Sequence, residues 1–529
     1  MINRKRNSKR NLAAMFLFVL IFSFSYVWQA IVPVGSEAPD EGQHIQMIYF
    51  LKNNRRIPVF DREKDIFKTF FFKTGLYGGV YYSMAYNSPL SYLPFVPFAQ
   101  GKTDSGGKTV VLPLRLISGL FIGLFSVFLF LALFNFNRRK FFSALGVSLF
   151  ISLIPQLIFT SAYVNIEPIA LFLSALSLYF LSLIFLYAKP LDYLFFGISL
   201  GLLALCKVNY LVVVAYLGLI ALWQLFRTIA PVRQKIINIV LIGIPALALN
   251  SWWWIRNFKL YRDPLIINHI STQIKSSSPA WFITPSEAGV NFFNIFNFNN
   301  FNLYVFSGFY AYLGAVRILL PLFFYWAFYI ALVVLALVGL WSIIRKNRRD
   351  LPLFLFSVFM IILDFAIFIN KNLTDFSPQG RHLFPLLIPL ALILILGLKN
   401  WPGKLKEYFL SSMVIINFVA SLLGLFKIIS GYFVTGLTWV IQTDWANKIA
   451  WVFTFSTDSA NKIVPDFTFH KFTLENYQRL YLVVYNENPR YSIYFSLLCV
   501  ILFIFSSIML ARLLFANRNE KISRPDMVN

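Results

Sequence analysis

The chain has 529 residues, of which 58% are apolar and 60 are Phe, and its net charge is +25. This composition is typical of a polytopic membrane protein and excludes a soluble enzyme. The positive charge does not indicate nucleic-acid binding, because the basic residues form short clusters between apolar runs, as in cytoplasmic loops. The two cysteines, Cys206 and Cys499, lie inside apolar runs and indicate no disulfide framework.

Apolar runs of about the length needed to cross a bilayer recur along the whole chain. The runs at 191–208 and 210–226 follow each other with almost no loop, and Lys207 and Asn209 mark their junction. Together the runs predict an all-α fold with about twelve transmembrane helices, at 11–34, 111–134, 141–162, 167–188, 191–208, 210–226, 236–255, 316–344, 351–369, 383–399, 409–434 and 491–513.

The first apolar run follows a basic N-terminus, as the apolar part of a secretory signal does. It extends over residues 12–34, however, which is too long for such a signal, and no small-x-small cleavage site precedes Gly35. We therefore expect an uncleaved first membrane helix with its N-terminus in the cytoplasm.

Every second loop between the predicted helices is short and basic, as the positive-inside rule requires of cytoplasmic loops. Both termini are therefore expected in the cytoplasm of a multi-pass plasma-membrane protein. The basic loops and the C-terminal tail contain Arg138, Arg139, Lys140, Lys189, Arg227, Arg233, Lys235, Arg345, Lys346, Arg348, Arg349, Lys399, Lys404, Lys406, Arg512, Arg518, Lys521 and Arg524.

The same alternation places three long segments outside the cell. We predict a transmembrane domain at 1–434 with external loops 35–110 and 256–315, an external cap segment at 435–490, and a last helix with a cytoplasmic tail at 491–529. Aromatic residues and lysines together in the first loop suit a segment that folds onto the membrane surface.

The most chemically informative stretch, Glu37 to His44, follows the first apolar run. It places three carboxylates and a histidine within eight residues, and carboxylates at the mouth of a membrane helix are costly. One interpretation is plain helix capping by Asp40, with the other groups solvated. Alternatively Asp40 and Glu41 provide a general base, or Glu41 and His44, on one helical face, bind substrate or a divalent metal ion.

Further polar residues interrupt the spans, and by the predicted topology they all lie towards the outer side. Ionisable groups in membranes indicate functional sites, although Arg115 and Lys207 could simply extend towards the interface. Arg381 differs, because a loop arginine can offer a bidentate fork to a phosphate at headgroup depth. The interrupting residues are Arg115, Asn165, Glu167, Lys207, Asn209, Asp364, Gln379, Arg381 and His382.

Carboxylates, histidines and cations close to the lipid surface suit a substrate whose anionic group stays at the headgroup level. A lipid that carries a phosphate is the obvious class. The carboxylates could accept a proton from an attacking hydroxyl while the cations stabilise the leaving phosphate.

With these motifs in order, the chain resembles the GT-C superfamily of glycosyltransferases, which includes protein O-mannosyltransferases and lipid A aminoarabinose transferases. It is most similar to a bacterial multi-pass branch with Pro-Asp-Glu-x-x-His, Asn-x-acidic and Gln-Gly-Arg-aromatic motifs. Glu167 stands where Asp is usual, His382 where Tyr is usual, and Asn87 where many members have His. These motifs are Pro39 to His44, Asn165 to Glu167 and Gln379 to His382, with Asn87 to Tyr92 closing the first loop.

The resemblance implies an inverting enzyme of the cell envelope that moves a sugar from a polyprenyl-phosphate donor to a glycan, lipid or protein acceptor on the external face. Asp40 would be the base, with Glu41 in support. A lipid-linked glycan transporter or flippase, and a glycan polymerase or ligase, are the alternatives. Substrate binding would fall to His44, Arg115, Asn165, Glu167, Lys207, Gln379, Arg381 and His382.

Overall fold

The structure is a computed structural model. It describes residues 2–32, 38–63, 68–70, 80–82, 84–99, 111–137, 140–277, 283–316, 318–346, 348–399, 401, 403–429, 455–457, 463–465 and 492–522. Glu37 and most of the predicted cap segment at 435–490 lie outside these ranges.

The described part of the chain is predominantly helical, which confirms the predicted fold class. Runs of Leu, Phe, Ile and Val form long helices because intrahelical hydrogen bonds satisfy the backbone without water. The helices are α1 (Ile2–Ile31), α2 (Glu41–Asn54), α3 (Phe60–Glu63), α4 (Leu112–Phe136), α5 (Phe141–Ser152), α6 (Pro155–Ser161), α7 (Glu167–Leu186), α8 (Pro190–Cys206), α9 (Leu211–Arg227), α10 (Val232–Tyr261), α11 (Ile267–Ser277), α12 (Gly308–Tyr310), α13 (Leu313–Val316), α14 (Leu322–Lys346), α15 (Leu351–Thr374), α16 (Leu387–Leu398), α17 (Gly403–Ile429) and α18 (Ser492–Ile522).

Strands are short and lie in the segments that connect long helices. β1 (Lys68–Phe70) pairs antiparallel with β2 (Val80–Tyr82) inside the first long loop. β3 (Ile318–Leu319) precedes α14, and β4 (Phe455–Thr457) pairs antiparallel with β5 (Ile463–Pro465). Short stretches of 3-10 or π-helix occur at Met84–Tyr86, Pro89–Ser91, Val96–Phe98, Val208–Tyr210, Ile295–Asn297, Leu303–Ser307, Arg348–Asp350 and Gly380–Leu386.

Ten of the described helices are long and apolar enough to cross a membrane, and α5 with α6 adds an eleventh if this pair, bent by 65°, is one span. The remaining predicted span corresponds to α8, which is apolar but shorter. The membrane class is thus confirmed, while the predicted count of twelve is not. The closely spaced runs predicted at 191–208 and 210–226 do form two helices, because Lys207 at their junction is extended, with φ −157° and ψ 127°.

Close helix packing relies on glycine, as is common where helices meet inside a membrane. A Cβ atom on Gly197 of α8 would lie 2.4 Å from the carbonyl oxygen of Ile242 in α10. One on Gly339 of α14 would lie 2.6 Å from the Cα atom of Gly397 in α16. At these crossings the two backbones touch, and a side chain would force them apart.

The chain runs back and forth, so that alternate helix ends meet at one end of the bundle. The side-chain amide of Gln29, near the end of α1, donates to the carbonyl oxygens of Arg115 and Ser161, at 2.8 and 2.9 Å. Ser91 of the first loop donates to the carbonyl oxygen of Cys206 at 2.6 Å. The predicted site residues belong to these same helix ends.

Candidate active site

Asp40 occupies the residue before α2 in an unusual backbone conformation. Its φ of 65° and ψ of 2° lie in the left-handed region, which costs free energy for any residue with a Cβ atom. Its side chain makes no capping hydrogen bond to the helix. The capping interpretation of Asp40 is therefore wrong, and the strained backbone turns the carboxylate away from α2.

The carboxylate of Asp40 instead meets Arg381. One guanidinium nitrogen, Nη2, lies 2.5 Å from Oδ2 of Asp40, and Nη1 donates to the hydroxyl of Tyr163 at 2.8 Å. The Arg381 side chain is 7% exposed and that of Asp40 is 26% exposed. Asp40 is thus the accessible member of a pair whose cation is buried.

Glu41, the next residue, has a different partner. Arg115 contacts it with both arms of the guanidinium, Nε to Oε1 at 2.8 Å and Nη2 to Oε2 at 2.7 Å. The backbone N–H of Val164 also donates to Oε1, at 3.0 Å. Nη1 of Arg115 donates to the carbonyl oxygens of Gln29 and Val32. With side-chain exposures of 2% and 0%, this ion pair joins α1, α2, α4 and the α6–α7 connection.

Glu167 is the centre of a third polar group, at the start of α7. Its carboxylate accepts from Lys207 and, at 2.5 Å, from the hydroxyl of Tyr210. Its backbone N–H donates to Oδ1 of Asn165 at 2.9 Å, which satisfies one of the free N–H groups of the helix end. Lys207 is 21% exposed, whereas Glu167 is 2% exposed.

His44 lies one turn into α2 and is buried. Its Nδ1 is 3.0 Å from the hydroxyl of Tyr92, to which Asn87 also donates at 3.0 Å. Burial lowers the pKa of His44 to about 3; Lys207 and Arg381 act in the same direction and Asp40 opposes them. The imidazole is therefore neutral at physiological pH and suits a hydrogen-bonding role better than a cationic one.

A backbone contact fixes the position of Arg381. A Cβ atom on Gly380 would lie 2.1 Å from both the carbonyl oxygen of Val305 and the amide nitrogen of Phe309. Only glycine allows this approach. Gln379 and His382 flank Gly380 and Arg381 along the chain. The backbone N–H of His382 donates to the carbonyl oxygen of Gln379 at 3.0 Å.

The structure thus brings the predicted residues to one end of the bundle, but their exposure to solvent differs. Asp40 and Lys207 are partly exposed, Arg381 is buried beside Asp40, and Arg115 is committed to Glu41. This geometry gives no support to Arg115 as a phosphate ligand. Asp364 is buried in α15 and lines a cavity of about 10 Å³.

The donor atoms do not fit the proposed metal pair of Glu41 and His44. Both oxygens of Glu41 accept hydrogen bonds from Arg115, and Nδ1 of His44 lies at the Tyr92 hydroxyl. Among the residues that the structure describes, no group of three or more His, Cys, Asp or Glu side chains could hold a metal ion.

Two tyrosines of this network were missed by the sequence reasoning. Tyr163 holds Arg381, and Tyr210 holds Glu167. Tyr163 stands two residues before Asn165 at a helix break, which was the available signal. Tyr210 follows Asn209, so its position beside the interrupted α8–α9 junction was also visible.

Residues 76–261 match the sequence model of the family described as dolichyl-phosphate-mannose-protein mannosyltransferase. This match confirms the resemblance to GT-C glycosyltransferases. The matched segment contains Arg115, Tyr163, Glu167 and Lys207, whereas Asp40 and Arg381 lie outside it.

The chain is also similar to the oligosaccharyltransferase of Archaeoglobus fulgidus, as seen in its apo crystal structure. The TM-score is 0.41 at 14% sequence identity, and the alignment covers 90% of this chain. It covers 63% of the other chain, so this protein spans less than two thirds of that enzyme's length. No curated protein gives a significant match.

Proposed function

We propose that this GT-C-type membrane glycosyltransferase moves a sugar from a polyprenyl-phosphate donor to a hydroxyl of a glycan, lipid or protein acceptor, with inversion. The observation that carries the proposal is the pairing of the partly exposed Asp40 with the buried Arg381 at the mouth of a polar network. By the positive-inside rule this end of the bundle faces the outside of the plasma membrane.

Asp40 is the general base of the proposed reaction. An acceptor hydroxyl is a poor nucleophile until its proton can move to a positioned acceptor, and a carboxylate in that role typically contributes about 10²–10⁴-fold. Asp40 suits the role because it is accessible and because its backbone is held in a strained, defined conformation. Glu41 supports it indirectly by anchoring the start of α2 to Arg115.

Arg381 and Lys207 are the proposed phosphate ligands. Arg381 presents a planar fork that matches a phosphate, and Lys207 adds a partly exposed ammonium group. Both cations are paired with carboxylates in the structure. A bound donor phosphate would compete for Arg381 and release Asp40 to face the acceptor.

The proposed step balances as a single displacement. The acceptor oxygen forms a bond to the anomeric carbon of the sugar while the bond from that carbon to the phosphate oxygen breaks. The electron pair of the broken bond leaves with the phosphate, and the hydroxyl proton moves to Asp40. The phosphate leaves as a stable anion and needs no acid, and attack from the opposite face inverts the anomeric centre.

The transport alternative has less support in the arrangement of the polar groups. Transporters commonly place their binding site near the bilayer midplane, at interrupted helices of repeated halves. Here Asp40, Arg381, Glu167 and Lys207 gather at one end of the bundle. A polymerase or ligase would use the same donor chemistry and differ in the acceptor.

Binding of polyprenyl phosphate to the purified chain tests the donor class. Arg381→Ala should weaken binding by about tenfold or more, because a hydrogen-bonded charge is lost. Arg381→Lys should not restore it, since the fork is absent. Arg256→Ala is the matched control, because Arg256 donates to a backbone carbonyl of the first loop and lies outside the network. Unchanged binding in Arg381→Ala would remove this residue from the site.

A further inference from the structure

A second cavity lies at the opposite end of the helix bundle. Its volume is about 280 Å³, and it opens where α7 and α9 end and α15 begins. Its polar and aromatic lining includes Trp223, Gln224, Arg227, Thr228, Arg349 and Asp350. None of these residues belongs to the proposed transferase site.

The cavity carries uncompensated positive charge. Its one carboxylate, Asp350, is paired with Lys399 at 2.5 Å. The guanidinium carbon of Arg227 lies 4.6 Å from the ring centroid of Trp223, a cation–π contact. Within the described part of the chain, neither Arg227 nor Arg349 forms an ion pair. The cavity therefore favours an anion.

The surroundings indicate that this anion belongs to a lipid. Phe185 and Leu353 form the apolar part of the lining. Phe226 and Leu355, next to the cavity along the chain, are 69% and 51% exposed, as expected of residues that face acyl chains. Trp223 suits the depth of lipid headgroups, where tryptophan is enriched. A basic pocket between membrane helices at this depth is a recognised way to hold an anionic headgroup.

We propose that this cavity binds the headgroup of an anionic phospholipid, with its phosphate between Arg227 and Arg349. Thr228 and Gln224 supply hydrogen bonds to headgroup hydroxyls. The acyl chains lie along the apolar surface that includes Phe226. This site is independent of the transferase reaction and would be occupied by a lipid of the leaflet opposite the Asp40 end.

The test uses native mass spectrometry of the purified full-length chain, titrated with phosphatidylglycerol or phosphatidylcholine. The wild-type chain should bind one phosphatidylglycerol in preference to phosphatidylcholine. The double variant Arg227→Gln with Arg349→Gln should bind phosphatidylglycerol about thirtyfold more weakly, since each basic residue near the surface is worth about a fivefold change. Melting temperatures in phosphatidylcholine should be unchanged, because both side chains are exposed.

Arg345→Gln is the matched control. Arg345 also stacks on a tryptophan, Trp341, at 4.6 Å, and belongs to the same end of the bundle, but it does not line the cavity. This variant should bind phosphatidylglycerol as the wild type does. Equal losses in the control and the double variant, or no preference for phosphatidylglycerol, would overturn the proposal. Displacement of the lipid by soluble glycerol phosphate at equal concentration would overturn it in favour of a free phosphate ligand.

Discussion

Two neighbouring carboxylates, Asp40 and Glu41, each meet an arginine, and the two pairs differ in almost every physical respect. The pair of Glu41 with Arg115 is bidentate and almost fully buried. In the pair of Asp40 with Arg381, the carboxylate is accessible to solvent, with 26% of the Asp40 side chain exposed. The first pair is suited to holding helices together, and the second to meeting a substrate.

The comparison explains how one short motif can serve both stability and chemistry. A buried ion pair must be complete, because either charge left alone in a low-dielectric interior is strongly destabilising. A pair with one partly exposed member can open and exchange its partner, since water and ligand compensate the separated charges. Adjacent residues thus have separable roles, and substitutions should separate them.

The largest effect on stability is expected for Glu41→Gln. It removes one charge of the buried pair and should lower the free energy of unfolding by about 3–5 kcal/mol, measured by thermal or denaturant unfolding in detergent. The double variant Glu41→Leu with Arg115→Leu should recover only part of this loss: no unpaired charge remains, but the N–H of Val164 and the carbonyl oxygens of Gln29 and Val32 lose these partners. Equal stability of Glu41→Gln and the wild type would contradict the structural role of this pair.

A smaller loss is expected for Gly380→Ala, which disturbs the other pair through the backbone. The added methyl group would meet backbone atoms at 2.1 Å, so the segment holding Arg381 must move. Overpacking of this kind costs about 1–3 kcal/mol, and donor binding should fall with it. Gly218→Ala is the control, because a Cβ atom there meets nothing within 4 Å. Full donor affinity in Gly380→Ala would show that this contact does not position Arg381.

The smallest effect concerns His44, beside Asp40. Its folded-state pKa of about 3 lies below the ordinary 6.5, so the unfolded chain binds more protons in that interval. The contribution of His44 to stability is therefore complete above pH 6.5 and is lost as the pH falls towards 3, by at most about 1.4 kcal/mol per pH unit. Melting temperatures between pH 7 and 5 should fall less steeply in His44→Gln. A steeper or unchanged fall would contradict a buried, neutral His44.

The sequence predicts the helices well and their side-chain pairing poorly. Apolar runs and basic loops locate the spans, because bilayer thickness and loop charge act locally. The pairing of Glu41 with Arg115 joins residues 74 positions apart, and that of Asp40 with Arg381 joins residues 341 apart. Such contacts depend on how the helices pack, so a motif could mark both carboxylates without telling them apart.

Local conformation was the second source of error. An Asp before a helix ordinarily caps it, and only the left-handed backbone of Asp40 reveals that the carboxylate points elsewhere. The 17-residue length of α8 could not be read from hydropathy either, because the run continues almost unbroken into α9. Lys207 and Asn209 marked the junction, which the structure places beside the site.

The central claim is that Asp40 is the base and Glu41 is not, and one measurement tests it directly. Transfer from a polyprenyl-phosphate sugar is measured for purified Asp40→Asn and Glu41→Gln, with each rate divided by the fraction of folded protein. Per folded molecule, Asp40→Asn should lose about 10²–10⁴-fold in turnover, while Glu41→Gln should keep most of its turnover. Near-wild-type turnover in Asp40→Asn, with turnover per folded Glu41→Gln abolished, would contradict the account.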